Sequence, residues 1–200
     1  MNTKLAIAKD FSEVAYFNLG NTFFQFFLFI PVAIGMPLTP TIAEEVNNLE
    51  KIKNLLEKIM KYLNILLSFL LFPTLLLSPS IIKLIYGKSY LPAVKSFIFI
   101  LGATIPASIG YIFGYYLTGT GKMWLATFFN AFWFFFFIGL VFSYTYKLGA
   151  LGAGIGFYVA YLLQAFFMLI YFRNLMPKFK IFIFFLIFTT LLTMLIFKLL

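Results

Sequence analysis

Cysteine and histidine are both absent from this 200-residue chain. Their absence excludes disulfides and metal sites built from thiolate or imidazole ligands. Carboxylates are also scarce: of the six acidic residues, four lie between Glu44 and Glu57, and none follows Glu57. Neither a metal nor another cofactor is therefore expected.

Enzymatic activity is not expected either. General acid–base catalysis within a membrane needs a carboxylate or imidazole with a tuned pKa, and the apolar runs of this chain contain neither. Two short segments, TGTGK at 118–122 and GKS at 87–89, resemble pieces of a phosphate-binding loop. Such a loop needs Gly five positions before its final Gly-Lys pair, where this chain has Tyr116 and Ile82.

Long apolar runs dominate what is present. The chain is 63% hydrophobic and 10% charged, against about 45–50% and about 25% in soluble domains. Six runs carry no charge: 14–43, 62–82, 96–121, 123–146, 148–172 and 181–197. About 20 apolar residues in a helix cross a bilayer, and a lipid-exposed backbone must close its hydrogen bonds within helices or barrels. Runs such as AFWFFFFIGLVF lack the alternation of barrel strands, so helices are predicted.

The predicted protein is an all-α integral membrane protein, one domain over 1–200 and multi-pass in the cell membrane. The predicted spans are about 14–38, 62–82, 96–118, 123–145, 149–172 and 179–199. The net charge of +9 comes from lysines that are scattered beside the spans, as at membrane headgroups. Membrane lipid is therefore an expected partner, and nucleic acid is not.

One hydrophilic connection is long enough to form a helix of its own. Thr39-Pro40 can begin it, and Thr41 with Glu44 fits a capping box. Apolar residues from Leu49 onward recur at helical spacing, opposite a charged face. The pattern predicts an interfacial amphipathic helix over about 40–61 that lies in the membrane surface and leads into the second span. A short coiled-coil face is the alternative.

Neutral polar residues form one stripe in the first span. Asn18, Asn21, Thr22 and Gln25 recur at spacings that place them on one helix face. In one interpretation they make hydrogen bonds between helices. In the other they line a hydrated transport path and contact a polar cargo. Glycine pairs in two other spans, Gly110 with Gly114 and Gly152 with Gly156, are predicted to allow close helix packing.

Several segments, in order, resemble a known family. They are FSEVAYFNLGNTFFQFFLFIPVAIGMPLTPTIAE at 11–44, SPSIIKLIYGKSYLPAVKSFIFIL at 78–101, TGTGK at 118–122 and KLGALGAGIGFYVAYLLQ at 147–164. The motif positions are Val14, Tyr16, Pro40, Tyr86-Gly87, Tyr90, Pro92-Ala93, Gly149-Ala150 and Gly152-Ala153. Together they resemble the second half of the polysaccharide-transporter branch of the multidrug/oligosaccharidyl-lipid/polysaccharide exporter superfamily.

The resemblance implies a segment of a flippase that moves lipid-linked oligosaccharides by alternating access between two six-helix lobes. It places the connection at 40–61 in the cytoplasm and YGKSYLPA outside. Since the matching text starts at the family's eighth helix, a first lobe on a separate or upstream polypeptide is an expected partner, and the segment is not expected to transport alone. The alternative is a non-transporting membrane anchor or assembly subunit of a glycan-synthesis complex.

Overall fold

The computed structural model describes residues 2–175 and 179–199. No strand occurs in these ranges. Eight α-helices and one 3₁₀-helix (Lys88–Ala93) account for nearly all of them. The α-helices are α1 (Asn2–Glu44), α2 (Leu49–Leu76), α3 (Ser78–Tyr86), α4 (Val94–Gly102), α5 (Thr104–Gly119), α6 (Met123–Leu148), α7 (Ala150–Tyr171) and α8 (Phe179–Leu199).

Six stretches of this architecture are long and apolar enough to cross a membrane. They are Phe11–Glu44, Leu49–Leu76, Lys88–Gly119, Met123–Leu148, Ala150–Tyr171 and Phe182–Leu199. The prediction of an all-α, multi-pass membrane protein with six spans is confirmed. Charge-free length is a reliable signal because the hydrocarbon thickness sets how many apolar residues a helix must supply.

The bundle is arranged around α4 and α5, which follow one another as a single span. This span packs against α1 on one side and α7 on the other, with α2 and α8 completing its surroundings. In contrast, α6 packs mainly against α7, and Phe129 is its one buried residue. The interior of the bundle is therefore built on α5, and α6 lies at its edge.

The first helix is longer than predicted. It includes Pro31, Pro37 and Pro40 and ends at Glu44, so no new helix begins at Thr39-Pro40. The Thr41 hydroxyl donates to the carbonyl of Pro37 at 2.9 Å instead of forming the predicted capping box with Glu44. Transmembrane helices tolerate proline because hydroxyl groups and neighbouring helices satisfy the carbonyls that proline leaves free.

The bounds predicted for the amphipathic helix, about 40–61, differ from those observed, because residues 40–44 belong to the end of α1. After a turn, α2 begins at Leu49, where the side chain of Asn48 accepts from the Lys51 N–H at 3.1 Å. The helix then continues without a break into the second span. Its apolar face is not free to enter lipid, since Ile52, Leu56 and Met60 are buried in the core of the bundle.

Proline marks two further boundaries. The predicted second span, 62–82, ends early because α2 stops at Leu76 and α3 begins at Ser78, with Pro79 in its first turn. The third span is interrupted at Ala103, where α4 gives way to α5. Pro106 follows three residues later, and its ring excludes the carbonyl of Gly102 from a normal helical bond.

Candidate functional site

The polar stripe of α1 lies on the outside of the bundle. Asn18, Thr22 and Gln25 are exposed and Asn21 is half-buried. The Thr22 hydroxyl donates to the carbonyl of Asn18 in the same helix, at 2.9 Å. Within the described ranges, no side chain of the stripe bonds to another helix. Hydrogen bonds between helices, the first interpretation of the stripe, are therefore not made by these side chains within the described part of the chain.

A cavity of about 570 Å³ lies elsewhere, between α5, α6 and α7. Most of its functional groups are aromatic or neutral polar, and its wall contains no Asp, Glu, Lys or Arg. These groups belong to Tyr111, Tyr115, Asn130, Trp133, Tyr161 and Gln164. The cavity opens to the outside of the bundle, because Thr118, Asn130 and Phe134 in its wall are exposed.

Gln164 is the most enclosed polar group of this wall. Its side chain is 5% exposed, and its Nε2 donates to the carbonyl of Phe129 at 3.1 Å and to Oδ1 of Asn130 at 3.5 Å. These bonds join α7 to α6. Across the cavity, a Cβ atom on Gly110 would lie 3.3 Å from Oε1 of Gln164, so glycine gives this amide its space.

Aromatic rings form the rest of the wall. The Trp133 and Tyr161 rings lie 4.9 Å apart, and Tyr161 also contacts Phe24 of α1 at 5.5 Å. Trp133 stacks on Phe137 at 5.2 Å. The Trp133 indole N–H is enclosed and has no hydrogen-bond partner in the described part of the chain. A buried donor without a partner is costly in apolar surroundings, so this wall has unused capacity to bind a polar group.

The four glycines predicted to pack differ in what they contact. A side chain on Gly152 would meet the backbone of α6 at Tyr144, and one on Gly156 would come within 3.2 Å of the Val141 nitrogen. Gly110 faces Gln164, as described above. Gly114 has nothing within 4 Å, so it makes no close helix contact in the described part of the chain and instead lines the cavity.

The chemistry available here is binding without ionic groups. Apart from tyrosine hydroxyls, the cavity wall has no titratable side chain. The described residues contain no group of three acidic side chains that could hold a metal. Amide, hydroxyl and indole groups can donate and accept hydrogen bonds, and flat aromatic faces can cover the apolar side of a ligand.

In the sequence, Asn130 and Gln164 are isolated polar residues within apolar spans, and nothing distinguishes the tyrosines of the wall from other aromatic residues. The cavity wall is drawn from three helices, so no single stretch signals it. No family model, curated protein or solved structure matches this chain.

Proposed function

We propose that this chain is the ligand-binding part of a cell-membrane carrier for lipid-linked oligosaccharides, and that the cavity between α5, α6 and α7 holds a sugar ring of the cargo. The observation that carries the proposal is a cavity within the spans whose wall is uncharged, rich in aromatic rings and supplied with the side-chain amides of Asn130 and Gln164. Its volume of about 570 Å³ lies within the range of about 300–1,000 Å³ typical of small-ligand sites.

A neutral sugar ring suits these groups. It has hydroxyls around its edge, which need several donors and acceptors, and apolar C–H faces, which pack against aromatic rings. The amides of Asn130 and Gln164 supply the first kind of contact, and the rings of Trp133 and Tyr161 supply the second. A charged ligand is disfavoured, because the wall offers no opposite charge to compensate for its desolvation.

The position of the cavity supports a lipid-linked cargo. It extends from mid-span toward the turn between α5 and α6, where Gly119 of α5 packs against Thr39 and Ile42 of α1. The resemblance places this end of the bundle in the cytoplasm. Basic residues outnumber acidic ones at the same end, and this excess of positive charge can attract a diphosphate. They are Lys51, Lys53, Lys58, Lys61, Lys122 and Arg173, against Glu44, Glu45, Glu50 and Glu57.

Fluorescence of Trp133 can test the proposal. The only other tryptophan, Trp124, is 88% exposed, so Trp124→Phe leaves one reporter in the cavity wall. We expect a saturable change in emission when this variant, in lipid nanodiscs, is titrated with a disaccharide on a short prenyl diphosphate. Adding Asn130→Leu should weaken binding about tenfold, as expected for a lost hydrogen bond within an apolar site.

Asn64→Leu is the matched control. Asn64 is a buried amide in α2 that does not line the cavity, and its loss should leave the titration unchanged. Equal binding of the prenyl diphosphate without sugar would contradict the proposal and place recognition at the basic end. An absence of any emission change, with the protein still folded, would also contradict it and favour the anchor or assembly-subunit alternative.

A further inference from the structure

The outer face of α1 carries a regular pattern beyond the polar stripe. Positions 18, 22, 25, 29, 32 and 36 are spaced by four, three, four, three and four residues. The side chains are Asn18, Thr22, Gln25, Phe29, Val32 and Met36. Val32 is half-buried and the other five are exposed. Alternation of three and four residues is the heptad pattern by which two helices pack side by side in a left-handed pair.

This seam, defined by the six residues above, is not used inside the chain. The opposite face of α1 makes the internal contacts: Phe24 packs against Phe157 at 4.8 Å between ring centroids, and Gly20 lies against Ile100. At about 100° per residue, the seam is centred roughly 120° around the helix from Phe24. A second helix can therefore pack on it without disturbing the bundle.

The chemistry of the seam favours an identical partner. An unpaired carboxamide facing hydrocarbon is costly, and Asn18 and Gln25 both expose one. Each carboxamide is at once a donor and an acceptor, so two copies of the same amide can satisfy each other. No charged residue occurs from 14 to 43, so two copies meet here without repulsion. A polar Asn at such a seam position also favours pairs over larger assemblies.

We propose that two copies of this chain associate through the seam, with their α1 helices parallel and a two-fold axis along the membrane normal. This symmetry places Asn18 opposite Asn18 and Gln25 opposite Gln25. In the C-terminal half of the seam, Phe29, Val32 and Met36 pack against the same residues of the second copy. The two lobes that alternating access requires are then supplied by two copies. The proposal is independent of the sugar site, since no seam residue lines the cavity.

Disulfide trapping tests the arrangement directly, because the natural chain contains no cysteine. Phe29→Cys places a thiol on the seam. Phe26→Cys is the matched control, since Phe29 is 71% and Phe26 is 74% exposed on the same turn of α1, but Phe26 lies outside the seam, about 80° around the helix from its centre. In liposomes of neutral lipid, mild oxidation should convert Phe29→Cys into a covalent dimer and leave Phe26→Cys monomeric.

A second measurement removes the amides. In the double variant Asn18→Leu with Gln25→Leu, dimerisation measured by energy transfer between labelled copies in liposomes should weaken about tenfold, as expected for the loss of a few interhelical hydrogen bonds in lipid. Thr127→Leu is the control, because Thr127 is an exposed polar residue of α6 outside the seam. It should leave dimerisation unchanged.

Three outcomes would overturn the dimer. Equal trapping at both positions, or at neither, would mean that the seam does not select a partner. Trapping of Phe29→Cys onto a different polypeptide in the native membrane would assign the seam to a separate first lobe. Unaltered dimerisation of the double-leucine variant, combined with lost transport, would assign the stripe to the transport path. None of these outcomes bears on binding at the cavity, which Trp133 reports.

Discussion

The helices α5 and α6 stand on either side of the cavity, yet their surroundings are opposite. In the most apolar stretch of the span that contains α5, 83% of the residues are buried. In the corresponding stretch of α6, 6% are buried. Their mean hydropathies, 1.8 and 2.0, are nearly equal. Hydropathy thus does not separate the interior of a membrane bundle from its lipid-facing edge, because lipid is as apolar as the packed interior.

Side-chain size makes the distinction that hydropathy misses. The buried span contains Gly102, Ala103, Ala107, Ser108 and Gly110 in close succession, whereas α6 is dominated by phenylalanine. Small residues let neighbouring backbones approach, so they concentrate where helices pack on several sides. Large aromatic residues on α6 cover one packed side and otherwise extend outward, as with Phe135 and Phe142.

The largest effect on stability should come from truncating a side chain of the buried helix α5. Phe113 of α5 is fully buried and stacks on Phe172, with ring centroids 4.5 Å apart. Phe113→Ala should lower the free energy of unfolding by about 3 kcal/mol, mainly through the cavity it leaves. Phe135→Ala on α6, at a position 70% exposed, should change it by no more than about 0.5 kcal/mol. Unfolding in mixed detergent micelles measures both, and equal losses would refute the contrast.

The contact of α6 with α7 should be the next most sensitive point. A Cβ atom on Gly152 would collide with the α6 backbone at Tyr144, so Gly152→Ala should cost about 2 kcal/mol. Gly139→Ala in α6 has open space around it and should be neutral or slightly stabilising, since alanine favours helix more than glycine does. Thermal unfolding of the two variants in one detergent compares them. A milder effect at Gly152 than at Gly139 would mean that α6 is held elsewhere.

The smallest effect concerns the turn between α6 and α7. Glu13 of α1 caps α7, with its Oε2 accepting from the Ala150 N–H at 2.6 Å. Glu13→Gln removes the negative charge from the positive end of that helix and should cost about 1 kcal/mol. Glu44→Gln, at the exposed C-terminal end of α1, should cost nothing. Hydrogen exchange in the first turn of α7 reports the cap, and unchanged protection would show that it contributes little.

Helix boundaries mark where sequence reasoning was weakest. Thr39-Pro40 has the composition of a helix start, yet α1 runs through it to Glu44. Local rules of this kind describe helices in water, where an interrupted backbone bond can be replaced by solvent. In a bundle the neighbours decide instead: Gly119 of α5 lies against Thr39, and packing holds the α1 backbone helical past Pro40.

The sequence indicated a polar stripe that lies outside the candidate site, and it did not indicate the cavity itself. The α1 stripe was evident from its spacing, since four polar residues on one face of an apolar helix need a reason. The cavity was not, because Tyr111, Asn130 and Tyr161 belong to three helices that only folding brings together. The two glycines of α5 show the same limit: their spacing is identical in kind to a packing motif, but Gly110 faces an amide and Gly114 faces open space.

The number of spans and the helical class followed from the sequence by itself, because bilayer thickness and the cost of an unpaired backbone in lipid act on each segment separately. The ranking of those helices from centre to edge, the cavity and the unused seam of α1 were decided by tertiary structure. The hydropathy of one helix does not specify which of its faces meets protein and which meets lipid. That choice depends on how small residues and amides from different helices fit together.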